Sequence, residues 1–272
     1  MLFVRPERLI LDLAAIVDPQ IRVLALVEAL GQGEPEPWIM AIALTADLAH
    51  GRTPPAASHL PPGLGVDAAR AMEAISQAAG SPRLAYEVRQ RLYAAAQDAR
   101  RPELARLFFD ASPPSADPRL VARQTAPERT LEPRGRPLTL GERRALARTH
   151  RRDRLALIVK DPHPAVVAVL LGNPHLTEPD LVTIAATRRA VPQALAMIAE
   201  HPKWSTRQAI KRALVMNPAT PLAAAMRLAA TLPSEDLVEV SKLSSLPAAL
   251  RDHVRELLQR RRQPRSGPTP LS

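Results

Sequence analysis

The sequence predicts an all-α protein, and three observations carry that reading. Apolar residues recur at helical spacing along most of the chain. Aromatic residues make up 3%, too few for a typical β-sandwich core, and 10 glycines in 272 residues argue against a strand-and-turn architecture. The 29 prolines agree with helices, because many stand where a helix begins. There the missing N–H costs nothing and the fixed φ suits the first turn. With 46% apolar and 24% charged residues, the chain can build a core.

In the N-terminal half the pattern predicts helices over 6–17, 19–30, 37–49, 67–79, 82–99 and 102–110. Asp18–Pro19 and Ser81–Pro82 each set a capping side chain before a proline at the first helical position. Helix 82–99 carries Leu84, Val88, Leu92 and Ala95 on one stripe, with Glu87, Arg91 and Gln97 off it. Residues 51–65 (GRTPPAASHLPPGLG) read as a long loop.

The stretch 112–138 is rich in proline and charge without apolar period, and reads as an extended linker. Residues 263–272 read as a disordered tail. Four parts follow: an N-terminal helical domain (1–111), the linker, a C-terminal helical domain (139–262) and the tail.

The C-terminal domain opens on Thr139-Leu-Gly-Glu142, a capping box in which threonine and glutamate satisfy each other's backbone N–H groups. Short amphipathic helices are expected over 140–149, 152–160, 164–171, 178–188, 191–200, 205–216, 221–231, 234–243 and 247–261. The stripe of 205–216 reads as Ala209, Ile210, Ala213 and Leu214; that of 247–261 as Leu250, Val254, Leu257 and Leu258. Asp161, Glu178 and Asp180 fall at helix starts, where they complement the helix dipole.

Residues 161–186 align with 205–230 at a shift of 44, with six identities in 26 positions. Each copy runs from an apolar helix into Asn-Pro (Asn173, Asn217), then to a threonine (Thr177, Thr220) placed to cap the next helix. Asparagine is expected to take the left-handed conformation that ends a helix, and proline forbids continuation. Two helices per repeat of this length fall in the HEAT and armadillo range. Residues 139–260 resemble a bacterial HEAT-like α-solenoid, and the Asn217-Pro218-Ala219-Thr220-Pro221 run is similar to the turn of leucine-rich-repeat-variant proteins. The resemblance implies an interaction surface. The period is longer than in that family, and with no cysteine here its iron–sulfur chemistry does not carry over.

The net charge of +10 is uneven: −2 over 1–111, +2 over 112–138, +9 over 139–262 and +1 in the tail. The basic half suggests a different surface from the acidic one. Arginine dominates as it does under GC-rich coding, so arginine content alone says little about phosphate binding. The expected binding surface comprises Arg188, Arg189, Lys203, Trp204, Arg207, Lys211 and Arg212, with Arg143, Arg144, Arg148, Arg151 and Arg152 clustered upstream. Trp204 itself reads as a packing residue.

Zero cysteines exclude disulfides, thiolate metal sites and a cysteine nucleophile. No phosphate loop, dinucleotide fingerprint, HExxH or serine elbow occurs, and the seven histidines are scattered. No catalytic residue, cofactor or metal is expected. Asp12, Asp18, Pro19 and Arg22 interrupt the apolar stretch 9–30, so no membrane span is expected; Arg5, Glu7, Arg8 and Asp12 stand where the apolar region of a secretory signal would be, so none is expected and the cytoplasm is the default location. The expected function is a non-enzymatic scaffold that binds a protein partner. The alternative is nucleic-acid binding by the basic half, and an enzyme with an unmarked site is the third reading.

Overall fold

The protein is described by a computed structural model over residues 4–57, 60–109, 138–187 and 190–262. All regular structure among them is helical, with no strand. Residues 112–137 of the expected linker, and the expected tail 263–272, lie outside the described residues.

After a 3-10 turn at Pro6–Arg8, the helices run α1 (Leu9–Ala15), α2 (Pro19–Gln32), α3 (Pro35–Ala49), α4 (Gly65–Gly80), α5 (Tyr86–Asp98) and α6 (Pro102–Ala105). They continue as α7 (Leu140–Leu146), α8 (Arg152–Ile158), α9 (Pro164–Leu171), α10 (Glu178–Ala186), α11 (Pro192–Glu200), α12 (Gln208–Val215) and α13 (Leu222–Thr231). The last are α14 (Ser234–Lys242) and α15 (Ala248–Arg262). Among the described residues no helix is long and apolar enough to cross a membrane.

One local device explains how so many prolines fit a helical chain. In X-Pro-Y, proline offers no N–H, and the side chain of X accepts from the N–H of Y. Asp18 accepts from Gln20 at 2.7 Å and Ser81 from Arg83 at 3.3 Å. Asp161 accepts from His163 and Asn173 from His175, both at 2.9 Å. Asn217 accepts from Ala219 at 2.9 Å. His163 and His201 do the same through Nδ1, from Ala165 at 3.1 Å and Lys203 at 3.2 Å. An accepting Nδ1 must be unprotonated. Burial holds both imidazoles below the ordinary histidine range, helped by Arg143 beside His163 and Lys203 beside His201.

Several expected helix ends differ: the helix expected over 102–110 spans only Pro102–Ala105, and that over 205–216 starts at Gln208. Ser81 closes α4, its N–H donating to the Ala78 carbonyl, so α5 starts only at Tyr86, and Leu84 is buried in the intervening turn. Asn173 and Asn217 do not enter the left-handed region. Arg100, at φ 53°, is the one non-glycine residue there among those described. It ends α5 in a Schellman turn, with Arg100 N–H on Gln97 O and Arg101 N–H on Ala96 O.

The chain divides into two compact units. The first takes the described residues of 1–110 with 229–242 and 248–262; the second takes those of 111–228 with 243–247. Residues 229–242 and 248–262, expected with the C-terminal repeat, therefore group with the N-terminal helices. Two kinds of contact hold them there. Helix α15 buries the expected stripe Leu250, Val254, Leu257 and Leu258, and packs on α14 and α6. Opposite charges also meet: Arg106 grips Glu256 with both terminal nitrogens, and Arg260 Nε lies 3.2 Å from Glu103.

Inside the first unit α4 packs against α1, α2 and α3, and α5 against α3 and α6. Leu13, Leu26, Leu30, Ile39, Ile42 and Ile75 fill the core, each contributing about 1.5–3 kcal/mol. The alanine-rich face of α4 (Ala68, Ala71, Ala74, Ala78) lets the neighbouring helices approach closely.

In the second unit neighbours alternate: α9 packs on α7 and α11, while α10 packs on α12. The capping box forms as expected, Thr139 Oγ1 accepting from Glu142 N–H while Glu142 accepts from Thr139 N–H at 2.8 Å. Thr177 N–H and Oγ1 both donate to Asp180, whereas Thr220 turns its hydroxyl back onto the Leu214 carbonyl at 2.6 Å. The buried face of α12 is Ile210, Lys211, Leu214 and Val215; Ala209, expected on the stripe, is exposed.

Candidate functional site

The expected cationic surface is only partly a surface. Arg188 and Arg189 lie outside the described residues. Lys203 and Arg207 are exposed, and Arg212 is half-buried. Lys211 is 5% exposed and Trp204 is also buried, so neither belongs to an outer face. Lys203 Nζ sits 4.2 Å from the centre of the Trp204 ring, a cation–π contact that fixes the ammonium over the indole.

Upstream, arginines are spent within the unit. Arg143 is buried and donates to both oxygens of buried Asp161 at 3.0 and 2.9 Å. Asp161 therefore serves an ion pair as well as a turn, beyond the dipole role expected for it. Arg152 grips Asp180 with two bonds of 2.6 Å. Burial pushes the Asp180 carboxyl up, but the hydrogen bonds from Arg152 and Thr177 outweigh it and hold it down at about 2. Arg151 pairs with Asp153 at 3.0 Å. Arg144 and Arg148 remain exposed.

Large apolar side chains stand in water at several places, among them Met40, Val66, Tyr86 and Leu140. Val17, 89% exposed, stands just before α2, in which Ile21 and Leu24 are also exposed. Leu157 of α8 is 57% exposed, between the exposed cations Arg154 and Lys160 in sequence.

A third feature was not legible beforehand. The first unit holds a pocket of about 40 Å³ whose walls are mostly apolar, with Met72, Leu104, Leu107 and Leu257, and whose lining residues also include Arg52, Arg101, Arg260, Arg261, Asp47 and Glu103. Glu103 takes Arg101 Nε at 2.5 Å and Arg260 Nε at 3.2 Å. Asp47 lies 3.7 Å from both Arg52 and Arg101. Arg52 also donates to the Arg260 carbonyl, and Arg260 to that of Arg100 at 2.9 Å. Arg261 donates to the carbonyls of Leu232 at 2.7 Å and Ala230 at 3.1 Å; burial lowers its guanidinium to about 10. His50 also lines the pocket, with Nδ1 2.6 Å from the Ala46 carbonyl. Burial, then the charge of Arg261, pushes its imidazole down to about 4, so it is neutral at pH 7. The run Arg260-Arg261-Arg262 was the only sequence sign of this cluster.

Among the described residues no group of three or more histidine or acidic side chains is placed to hold a metal ion. Comparison with protein families, curated proteins and solved structures finds no match.

Proposed function

We propose that the chain is a non-enzymatic protein-interaction module whose second unit is a HEAT-like row of short helices. The observation that carries this reading is the recurrence of one joint. Asn173 and Asn217 occupy equivalent places after α9 and α12, and each ties its turn to the end of an earlier helix. The alternating packing of α7, α9 and α11, with α10 on α12, fits such a row. Stacked helix pairs present broad outer faces suited to protein partners. Leu157, exposed beside Arg154 and Lys160, supplies the kind of apolar anchor within charge that protein interfaces use.

The internal pairing of Arg143 and Arg152 and the burial of Lys211 thin the cationic strip on which nucleic-acid binding would rest. The test uses the full chain, because helices α14 and α15 fold with the first unit. Cross-linking capture from the native host is compared between the wild type and Leu157→Asp, with circular dichroism as the folding control. A partner recovered by the wild type and lost by the folded variant supports the reading. Tight duplex DNA binding that falls steeply with salt, unchanged by Leu157→Asp, overturns it in favour of phosphate contacts.

A further inference from the structure

We propose that the chain associates with a second copy of itself, the outer face of α2 on one copy seating on the outer face of α8 on the other. The proposal rests on the reading of Leu157 as an interface anchor, and names what covers it.

The first argument is apolar surface left out of the core. In α2 the core side is supplied by Leu26 and Leu30. Ile21 and Leu24, one turn apart, are 51% and 42% exposed, and Glu28 continues the same exposed face. In α8 the core side is Leu155 and Ile158, while Arg154 and Leu157, three residues apart, both stand in solvent. The solvent face of a helix is ordinarily polar, and these two are not.

The second argument is charge complementarity. Residues 9–51 hold six carboxylates and a single cation, Arg22. Arg22 is half-buried and donates to the Leu13 and Ile16 carbonyls, so it does not neutralise the outer face of α2. Residues 139–228 hold 14 cations and six carboxylates. Exposed Asp18 caps α2 and exposed Glu28 takes only a 3.4 Å bond from Gln32. Arg154 and Lys160 are exposed as well, and none of these four charges has an ion partner among the described residues.

The third is spacing. Along α2 the order is acid, apolar, apolar, acid (Asp18, Ile21, Leu24, Glu28). Along α8 and just past its end it is cation, apolar, cation (Arg154, Leu157, Lys160). Laid antiparallel, Leu157 meets Ile21 and Leu24, Arg154 faces Glu28, and Lys160 faces Asp18. The two acids stand about 15 Å apart along the axis and the two cations about 9 Å, a difference that the long arginine and lysine stems span. Each copy offers one face of each kind, so two copies close on each other through two such contacts, or further copies add on.

The experiment is sedimentation equilibrium of the full chain from low micromolar to near-millimolar concentration. The average mass is expected to climb from 29.6 kDa as concentration rises, and to fall back as salt screens the charges. Leu24→Asp and Leu157→Asp are each expected to weaken association about tenfold or more, as for a central apolar anchor. Mixed in equal amounts, they retain one intact α2 face and one intact α8 face, and are expected to associate where neither does alone. Glu28→Arg and Arg154→Glu are each expected to weaken association, and to restore it when combined in one chain. Circular dichroism checks folding, and Ile21→Asp replaces Leu24→Asp if the latter does not fold. A mass that stays at 29.6 kDa throughout overturns the proposal. So does association that survives either aspartate variant, or a mixture no heavier than its components. A monomer whose Leu157→Asp variant still loses a captured partner overturns self-association and leaves the interaction reading standing.

Discussion

Asn173 and Asn217 make matching sets of hydrogen bonds. Asn173 donates Nδ2 to the carbonyls of Ala147 at 2.8 Å and Thr149 at 2.9 Å, just past the end of α7. Asn217 donates to Ala185 at 2.6 Å and Thr187 at 3.0 Å, at the end of α10. The last carbonyls of a helix lack intrahelical partners, and these amides supply them from inside the protein. Replacing Asn217 with alanine leaves two carbonyls short of a donor, and is expected to cost about 2–4 kcal/mol. Asn217→Asp, the same size and still an acceptor for Ala219, is expected to be no better, because it turns a carboxylate against both carbonyls. Urea unfolding followed by circular dichroism measures both.

The joints show what the sequence could reveal and what it could not. Helix positions were legible because Leu92, Leu214 and Val254 recur in stripes, and because Asp18-Pro19 and Thr139 mark helix starts. The equivalence of Asn173 and Asn217 was legible from Asn-Pro. Their action was not, since each amide reaches back across a whole helix pair, and no local spacing records that. The pocket was hidden for the same reason: Arg52 and Arg260 meet across most of the chain. Lys211 and Arg143 looked like surface charge because nothing nearby in sequence names what surrounds a buried cation.

The α12 register is tested by contrast. Leu214 is fully buried, and Leu214→Ala is expected to cost about 2–5 kcal/mol. Ala209 is exposed, and Ala209→Gln is expected to stay within about 0.5 kcal/mol. Thermal melts that reverse this order would displace the helix by one residue.

The Arg143–Asp161 pair is buried on both sides. Asp161→Ala strands a guanidinium, and is expected to cost about 3–5 kcal/mol. Arg143→Met combined with Asp161→Leu removes both charges and is expected to recover much of that loss, read as coupling in a double-mutant cycle.

His50 makes stability depend on pH. The unfolded imidazole takes a proton near its ordinary 6.5, whereas the folded one resists until about 4. Between these values the unfolded state holds more protons, so stability falls as pH drops from 6.5 to 4 and levels off below. The contribution lost is about 3 kcal/mol. His50→Leu is expected to flatten that part of the urea-midpoint profile.

Arg100 holds a left-handed conformation that costs an L-residue about 1 kcal/mol. Arg100→Gly keeps the carbonyl that receives Arg260 and is expected to raise stability by a similar amount, offset in part by the freer unfolded chain. A higher urea midpoint is the expected readout.

The first unit is assembled from the opening and closing stretches of the described chain, with the second unit threaded between them. A ribosome releases residues 4–109 long before α15 exists to complete the acidic side around Glu103 and Asp47. The nascent N-terminal helices must therefore wait, with their α15-facing apolar side chains bare, while the intervening residues 111–228 are made.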